Sequence, residues 1–308
     1  MHYELLALLR QHNAPISGEV LGRTLGVSRV AVWKQVKELR SLGYDVVATP
    51  GGYRLQSSPD LLLPWEFPGW EDKVHHFAEV DSTMRVAREL ARKGAPHGSL
   101  VTAEIQTGGR GRLDRSWMSP SGGVYMTVIT RPSAAVVLAP RINLVASVAV
   151  SLALERLLGV RARVKWPNDV LVDGKKLCGI LAEMEAEVDA VRFVNVGIGL
   201  NANSHVSGLH AGAVSLLELL GHPVDRKSLA LAVVEGILGR LSILDKPQVL
   251  DEWRDRAYTL GREVIISGRD DVVQGVAVDI DDFGALIVRR PDGSVTHVVA
   301  GDCVHRVD

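Results

Sequence analysis

The sequence predicts an α+β protein with a helix-turn-helix module at its front and a short all-β segment at its end. Three observations carry that prediction. Residues 1–57 hold three helical stretches followed by a two-strand pattern. Residues 73–260 mix helices with strands joined by hairpin turns, which points to a largely antiparallel sheet. Residues 261–308 show only short alternating strands. Between the first two regions, residues 58–72 are rich in proline and read as a linker. Its leucines and tryptophan are expected to pack on a neighbouring domain.

Composition narrows the class. The chain has 308 residues, 46% hydrophobic and 23% charged, which is ordinary for a globular protein. No apolar run reaches the roughly 18 residues expected of a bilayer span, and the opening MHYELLALLRQHN lacks the basic start and cleavage site of a signal peptide. Cys178 and Cys303 have neither disulfide-framework nor zinc spacing, and His75–His76 has no other ligand type nearby. The expectation is a cytoplasmic protein with no membrane partner and no resident metal. A net charge of −1 conceals +3 on residues 1–57 and −4 on the remainder, so a basic module sits on an acidic body.

The elements follow in order. HYELLALLRQH, ISGEVLGRTLGV and SRVAVWKQVKELRSLGY read as three helices, the last two joined by a tight turn at Gly26. Ser28 is the expected N-cap of the third. There Val32, Val36 and Leu39 make a buried stripe, and Val30, Lys34 and Lys37 fall opposite it, with Arg29 near the start. Trp33 is expected to pack inside. YDVVATPGGYRLQ then folds as a hairpin around Pro50-Gly51-Gly52, completing a winged helix-turn-helix. In that geometry the second helix of the pair enters the major groove. Ser28, Arg29, Lys34 and Lys37, with Arg54 on the wing, are therefore the candidate DNA-binding residues. A protein-interaction role for the module stays open.

In the central region DSTMRVARELARKG is a helix, capped by Ser82 and ended by Gly94. SLVTAEIQ and GVYMTVITR are strands flanking the segment TGGRGRLDR, residues 107–115. PRINLVASVAVSLALERLLG is apolar nearly all round and reads as a buried helix. ARVKWPNDVLVDGKKLCGILAEME supplies two strands around Asp173-Gly174, and VRFVNVGIGLN another, ending in a glycine-rich turn. The chain lacks a P-loop, a full dinucleotide fingerprint and a nucleophile elbow. What remains is a constellation of cations and amides. Arg110, Arg112 and Arg115 lie in the loop, Lys165 precedes WPND, Lys176 follows a turn, and Asn168 and Asp169 offer oxygens for a sugar hydroxyl or a magnesium ion. Such a set suits phosphoryl or nucleotidyl transfer, where the protein positions reactants and stabilises charge. Glycine in the loop gives freedom and arginine gives planar forks, so the loop is expected to stay loose until an anion orders it.

GGRGRLDRSW, KWPNDV, GKKLCGIL and VGIGLN, in that order behind a winged helix, resemble the bifunctional biotin–protein ligases that also repress the biotin operon. The resemblance covers essentially the whole chain. It implies a catalytic domain of the biotin/lipoate ligase type, class II synthetase-like, and a C-terminal SH3-like β-barrel. The implied reaction forms biotinyl-5′-AMP and pyrophosphate from biotin and Mg-ATP, then transfers biotin to a lysine of a biotin carboxyl carrier domain. Lys176, Arg110, Arg112 and Lys165 are the implied catalytic residues. Ser82, Thr83, Gln106, Gly109, Gly179 and Gly197, together with Arg110, Arg112 and Lys176, are implied for biotin. Arg112, Arg115, Trp117, Asn168, Asp169, Asn201 and Arg306 are implied for the nucleotide. Biotinyl-AMP would act as corepressor of a homodimer on operator DNA. The family usually has STN where this chain has Ser82-Thr83-Met84, which removes an amide. It also has glycine where this chain has Asp114, which stiffens the loop or lowers its charge. Three rivals stand beside this reading: a ligase whose first module does not bind DNA, a non-catalytic biotin sensor, and a lipoate or octanoyl transferase.

Overall fold

A computed structural model describes residues 2–306 apart from 114, 134–135, 188–189, 209–211 and 269–270. Asp114, expected to alter the loop, lies outside the described residues. The chain divides into two compact units, residues 1–72 and 73–308.

The first unit is a winged helix-turn-helix. Helices α1 (His2–Gln11), α2 (Gly18–Leu25) and α3 (Arg29–Ser41) precede strands β1 (Asp45–Thr49) and β2 (Gly52–Ser57), which pair antiparallel. Gly26 makes the expected tight turn with φ +66°, and the Ser28 hydroxyl accepts from Ala31 N at 3.1 Å, capping α3. Leu5, Leu6, Leu9 and Leu21 close on Val32, Val36, Leu39 and Val46 in one core. Trp33 does not join that core. It stands 51% exposed on the outer face of α3, because Val32 and Val36 already fill the inward stripe.

Residues 58–72 are not a free linker but part of this unit. Leu63 enters the same core as Leu5 and Tyr44. Arg10 Nη2 donates to both Glu66 carboxylate oxygens at 2.8 and 3.0 Å, and Trp65 Nε1 donates to the Tyr44 hydroxyl at 2.9 Å. The Tyr44 hydroxyl donates in turn to Glu66, and burial followed by that carboxylate raises its pKa well above the ordinary phenol value. The prolines therefore shape an apron on the module.

The second unit is built on a seven-stranded sheet. Its strands are β3 (Val74–Val80), β4 (Ser99–Gln106), β5 (Val124–Thr130), β6 (Arg163–Lys165), β7 (Asp169–Val172), β8 (Lys175–Glu187) and β9 (Ala190–Leu200). Their spatial order is β3-β4-β5-β9-β8-β7-β6, with only β3 and β4 parallel. KWPND thus makes a hairpin of its own between β6 and β7, giving three strands where sequence patterning predicts two. Helix α4 (Thr83–Arg92) lies on the sheet through Ala87 and Ala91 against Val101, Ile129 and Phe193.

Helix α5 (Ala139–Leu158) is the buried helix the sequence predicts. By length and composition alone Val136–Leu158 could cross a membrane, contrary to the expectation that no run is long enough. However, 61% of its most apolar window is buried inside the protein. Helices α6 (Leu216–Leu220), α7 (Arg226–Leu241) and α8 (Gln248–Arg256) complete this part.

Strands β10 (Glu263–Ser267), β11 (Val272–Ile280), β12 (Leu286–Arg289), β13 (Val295–Val298) and β14 (Asp302–His305) form an antiparallel sheet ordered β13-β12-β11-β10-β14. Its apolar interior is continuous with the core around α5 and α8. Val264, Ile266, Ala277, Leu286 and Val288 share one cluster with Leu144 and Val148 of α5, Trp253 of α8, and Trp166. Trp166 is fixed further by Nε1 donating to Gly284 O at 3.2 Å and by its own N–H donating to the Thr259 hydroxyl at 3.0 Å.

Candidate active site

A cavity of about 660 Å³ opens above β8 and β9, between the start of α4, the arginine loop and β14. Its floor is glycine. A Cβ on Gly199 would come within 2.5 Å of the Trp117 indole nitrogen, and one on Gly179 within 2.8 Å of the Trp117 ring. The indole therefore lies flush on both strands. A Cβ on Gly197 would meet the Met84 sulfur at 2.7 Å, so Met84 occupies the position where the usual family amide is missing.

One end of the cavity is polar and neutral. Gln106 Oε1 accepts from Thr83 N at 2.9 Å and from the Thr83 hydroxyl at 3.1 Å, and Gln106 Nε2 donates to Ser119 Oγ at 2.9 Å. The Thr127 hydroxyl donates to Thr83 Oγ1 at 2.9 Å, which fixes the chain from the strand side. Ser82 stands at the N-cap position of α4 but caps nothing. Its buried hydroxyl lines the cavity without a partner, an arrangement costly to the fold unless a ligand satisfies it.

The other end is cationic. Lys176 Nζ lies 2.7 Å from Asp169 Oδ1 and 5.3 Å from the centre of the Trp117 ring. Arg112 Nη1 donates to Asn168 Oδ1 at 3.2 Å, and Asn168 is itself locked onto β8 by donating to Ile180 O at 2.7 Å. Burial lowers the Arg112 pKa, while Asp169 and Asp302 work against that fall. A half-desolvated guanidinium with a neutral direct partner is suited to an incoming anion. Arg110 and Lys165 complete this lining.

The loop expected to be loose is folded as a small hairpin. Gly111 N donates to Arg115 O at 2.7 Å, and Trp117 N donates to Gly109 O at 2.8 Å. Gly109 lies behind the cavity rather than on its wall; a Cβ there would collide with the Trp117 carbonyl. Arg115 is held by the C-terminal sheet, its guanidinium donating to Asp302 at 3.0 and 2.6 Å. The same bond holds the Asp302 carboxyl below the usual range, against the effect of its burial. Asp302→Asn is expected to free the hairpin and speed tryptic cleavage at residues 110–115 severalfold. An unchanged digestion rate would show that the pair does not restrain it.

Two further expected site residues are placed otherwise. Arg306 does not line the cavity; it donates to Glu263 at 3.4 Å, with both groups in solvent. Asn201 lines the wall, but its amide donates to Val214 O at 3.2 Å and so holds the segment that crosses beside Lys176. The structure also adds Met84, Gly199, Asp302 and Cys303 to the lining. Cys303 is inert there, its thiol pushed up to about 11 by burial. Gly199 stands within the quoted VGIGLN and had a sequence signal. Asp302, arriving from the far end of the chain, had none.

Comparison with known proteins gives the family. Residues 76–201 match the biotin/lipoate A/B protein ligase family, residues 2–54 an HTH domain, and residues 259–306 the biotin protein ligase C-terminal domain. The bifunctional ligase/repressor BirA of Bacillus subtilis is 36% identical over 94% of both chains. That of Escherichia coli is 31% identical over 93% of this chain and 91% of its own. Among solved structures, the biotin protein ligase of Aquifex aeolicus in complex with biotin and ATP superposes with a TM-score of 0.66 at 28% identity. It covers 77% of this chain and 99% of that one. A ligase fold carried behind a helix-turn-helix, with relatedness along nearly its full length, makes this chain a member of the biotin protein ligase family, in its bifunctional ligase/repressor branch.

Proposed function

We propose that this chain is an ATP-dependent biotin–protein ligase whose intermediate, biotinyl-5′-AMP, controls DNA binding by its N-terminal module. In the first step a biotin carboxylate oxygen attacks the α-phosphorus of ATP, and the bond to the β-phosphate breaks to release pyrophosphate. In the second, the amine of a lysine on a biotin carboxyl carrier domain attacks the acyl carbon. The acyl–phosphate bond breaks, AMP leaves, and the amine gives up its proton.

One observation carries this reading: a neutral polar end and a cationic end share one cavity across a tryptophan. Ser82, Thr83 and Gln106 suit a ureido ring, which offers both donors and an acceptor. Lys176 bridges the carboxylate and the α-phosphate, which otherwise repel, and Arg110 and Arg112 neutralise the phosphates. Trp117 stacks on the adenine, and Lys165 favours the neutral form of the incoming amine. Mg²⁺ arrives with the ATP, and the cavity oxygens of Asp169 and Asn168 fit an ion held by few protein ligands plus phosphates. When bound, it offsets phosphate charge. The corepressor form is a homodimer on a two-fold operator, in the cytoplasm with its carrier protein.

The test is ATP–pyrophosphate exchange. It is expected with biotin and absent with lipoate or octanoate. Binding of biotin without exchange would turn the reading into that of a sensor. Arg112→Gly is expected to let biotinyl-AMP escape and label bystander proteins, since a charge-assisted hydrogen bond is worth about 1.5–3 kcal/mol. Labelling confined to the carrier domain would remove that retention role.

A further inference from the structure

The recognition helix carries an apolar pair on its outer face. Val30 is 62% exposed and Trp33 51% exposed, one helical turn apart, while the inward face of α3 is filled by Val32, Val36 and Leu39. Exposed cations surround the pair. Arg29 precedes it, Lys34 adjoins it, and Lys37 Nζ sits 5.6 Å from the Trp33 ring centre. Capping by Ser28 fixes the helix start, so Val30 lies in the first turn, the part of such a helix that meets base edges. A large exposed apolar pair ringed by exposed cations on one helix face suits a partner that is anionic outside and presents apolar spots inside.

The major groove of DNA has that pattern. Phosphates line its walls, and each thymine projects a C5-methyl group into it, the one apolar mark that distinguishes base pairs there. We propose that Val30 and Trp33 read thymine methyls in the operator half-site, with Arg29, Lys34 and Lys37 seated on the flanking phosphates. This rests on the DNA-binding reading above and assigns its specificity to apolar contact instead of to the cations. Ser28 accepts from Ala31 N in the cap and keeps its O–H free to donate to a phosphate.

The experiment uses the full chain with biotin and ATP. A duplex is first selected from a randomised pool, and its binding is then followed by fluorescence anisotropy over a range of salt. Val30→Ala and Trp33→Ala are each expected to weaken the selected duplex about tenfold, the cost typical of one mismatched base pair. Binding to random duplex and the salt slope should stay as in the wild type. Lys34→Ala should instead weaken both duplexes and lower the salt slope by about one. On the DNA side, deoxyuridine in place of thymidine removes one methyl at a time. It should cost the wild type affinity at one or two positions per half-site and cost Trp33→Ala or Val30→Ala nothing further there. Both side chains are exposed, and unchanged binding to random duplex reports that the module is intact in each variant. Wild-type affinity in both variants, with every deoxyuridine silent, would overturn the assignment while leaving DNA binding standing. A wild-type chain that enriches no sequence would overturn the DNA-binding reading itself.

Discussion

Lys176→Ala is expected to abolish biotin-dependent ATP–pyrophosphate exchange while leaving the protein folded. Removing one preorganised electrostatic contact to a developing charge costs about 10²–10³ in rate. Lys176 is asked for more than a single contact, because it holds two mutually repelling anions together. Its resting partner is Asp169 at 2.7 Å, in a pair partly open to solvent. Such a pair is worth on the order of 1 kcal/mol or less to stability. The thermal midpoint should therefore barely move, and biotin affinity should fall far less than the exchange rate. Lys176→Arg keeps the charge but moves its centre, and intermediate exchange is expected from it. Substantial exchange in Lys176→Ala would take the bridging role from this residue and give it to the loop arginines.

Trp166→Ala is expected to be the most damaging single change to stability. Its ring is almost fully buried in the cluster that joins α5 and α8 to the C-terminal sheet, and truncating such a side chain costs about 3–5 kcal/mol. The indole hydrogen bond to Gly284 O is lost with it, so urea unfolding should shift to clearly lower concentration. Trp166→Phe separates the terms. It keeps most of the ring, loses the bond, and is expected to cost nearer 1 kcal/mol from that bond. Because Lys165 and Asn168 flank Trp166 and line the cavity, the alanine variant should lose exchange activity at temperatures where it is still folded. A midpoint within error of the wild type would mean the two parts are held together by something other than this cluster.

Much of the architecture could be read from local pattern. The Val32–Val36–Leu39 stripe, the Gly26 turn and the Ser28 cap are determined within one or two helical turns, and the structure has all three. The apolar wrap of α5 likewise announced burial. Features decided by distant partners escaped. Strand β3 owes its place to parallel pairing with β4, residues Val74 to Leu100, and residues 58–72 owe theirs to Arg10 and Tyr44. Size and apolarity predict burial for Trp33, yet the inward positions of its helix are taken by Val32 and Val36. The site divides in the same way. The glycines, the loop arginines, Lys165 and Lys176 stand in short runs whose chemistry is visible residue by residue. Met84 against Gly197 and Asp302 against Arg115 are meetings between segments that no spacing encodes.

The seat of Trp117 on Gly179 and Gly199 has a consequence for how this site can drift over evolutionary time. Neither glycine is tied to its identity by its own backbone; each is tied by a ring arriving from the loop. A mutation at 179 or 199 alone meets the indole, and a smaller residue at 117 alone leaves a hollow over bare backbone. The three positions are thus one inherited character spread across two strands and a loop. A lineage exploring a different nucleotide or acyl group would have to pass through a double change, so variation among descendants should arrive at these sites in step or not at all.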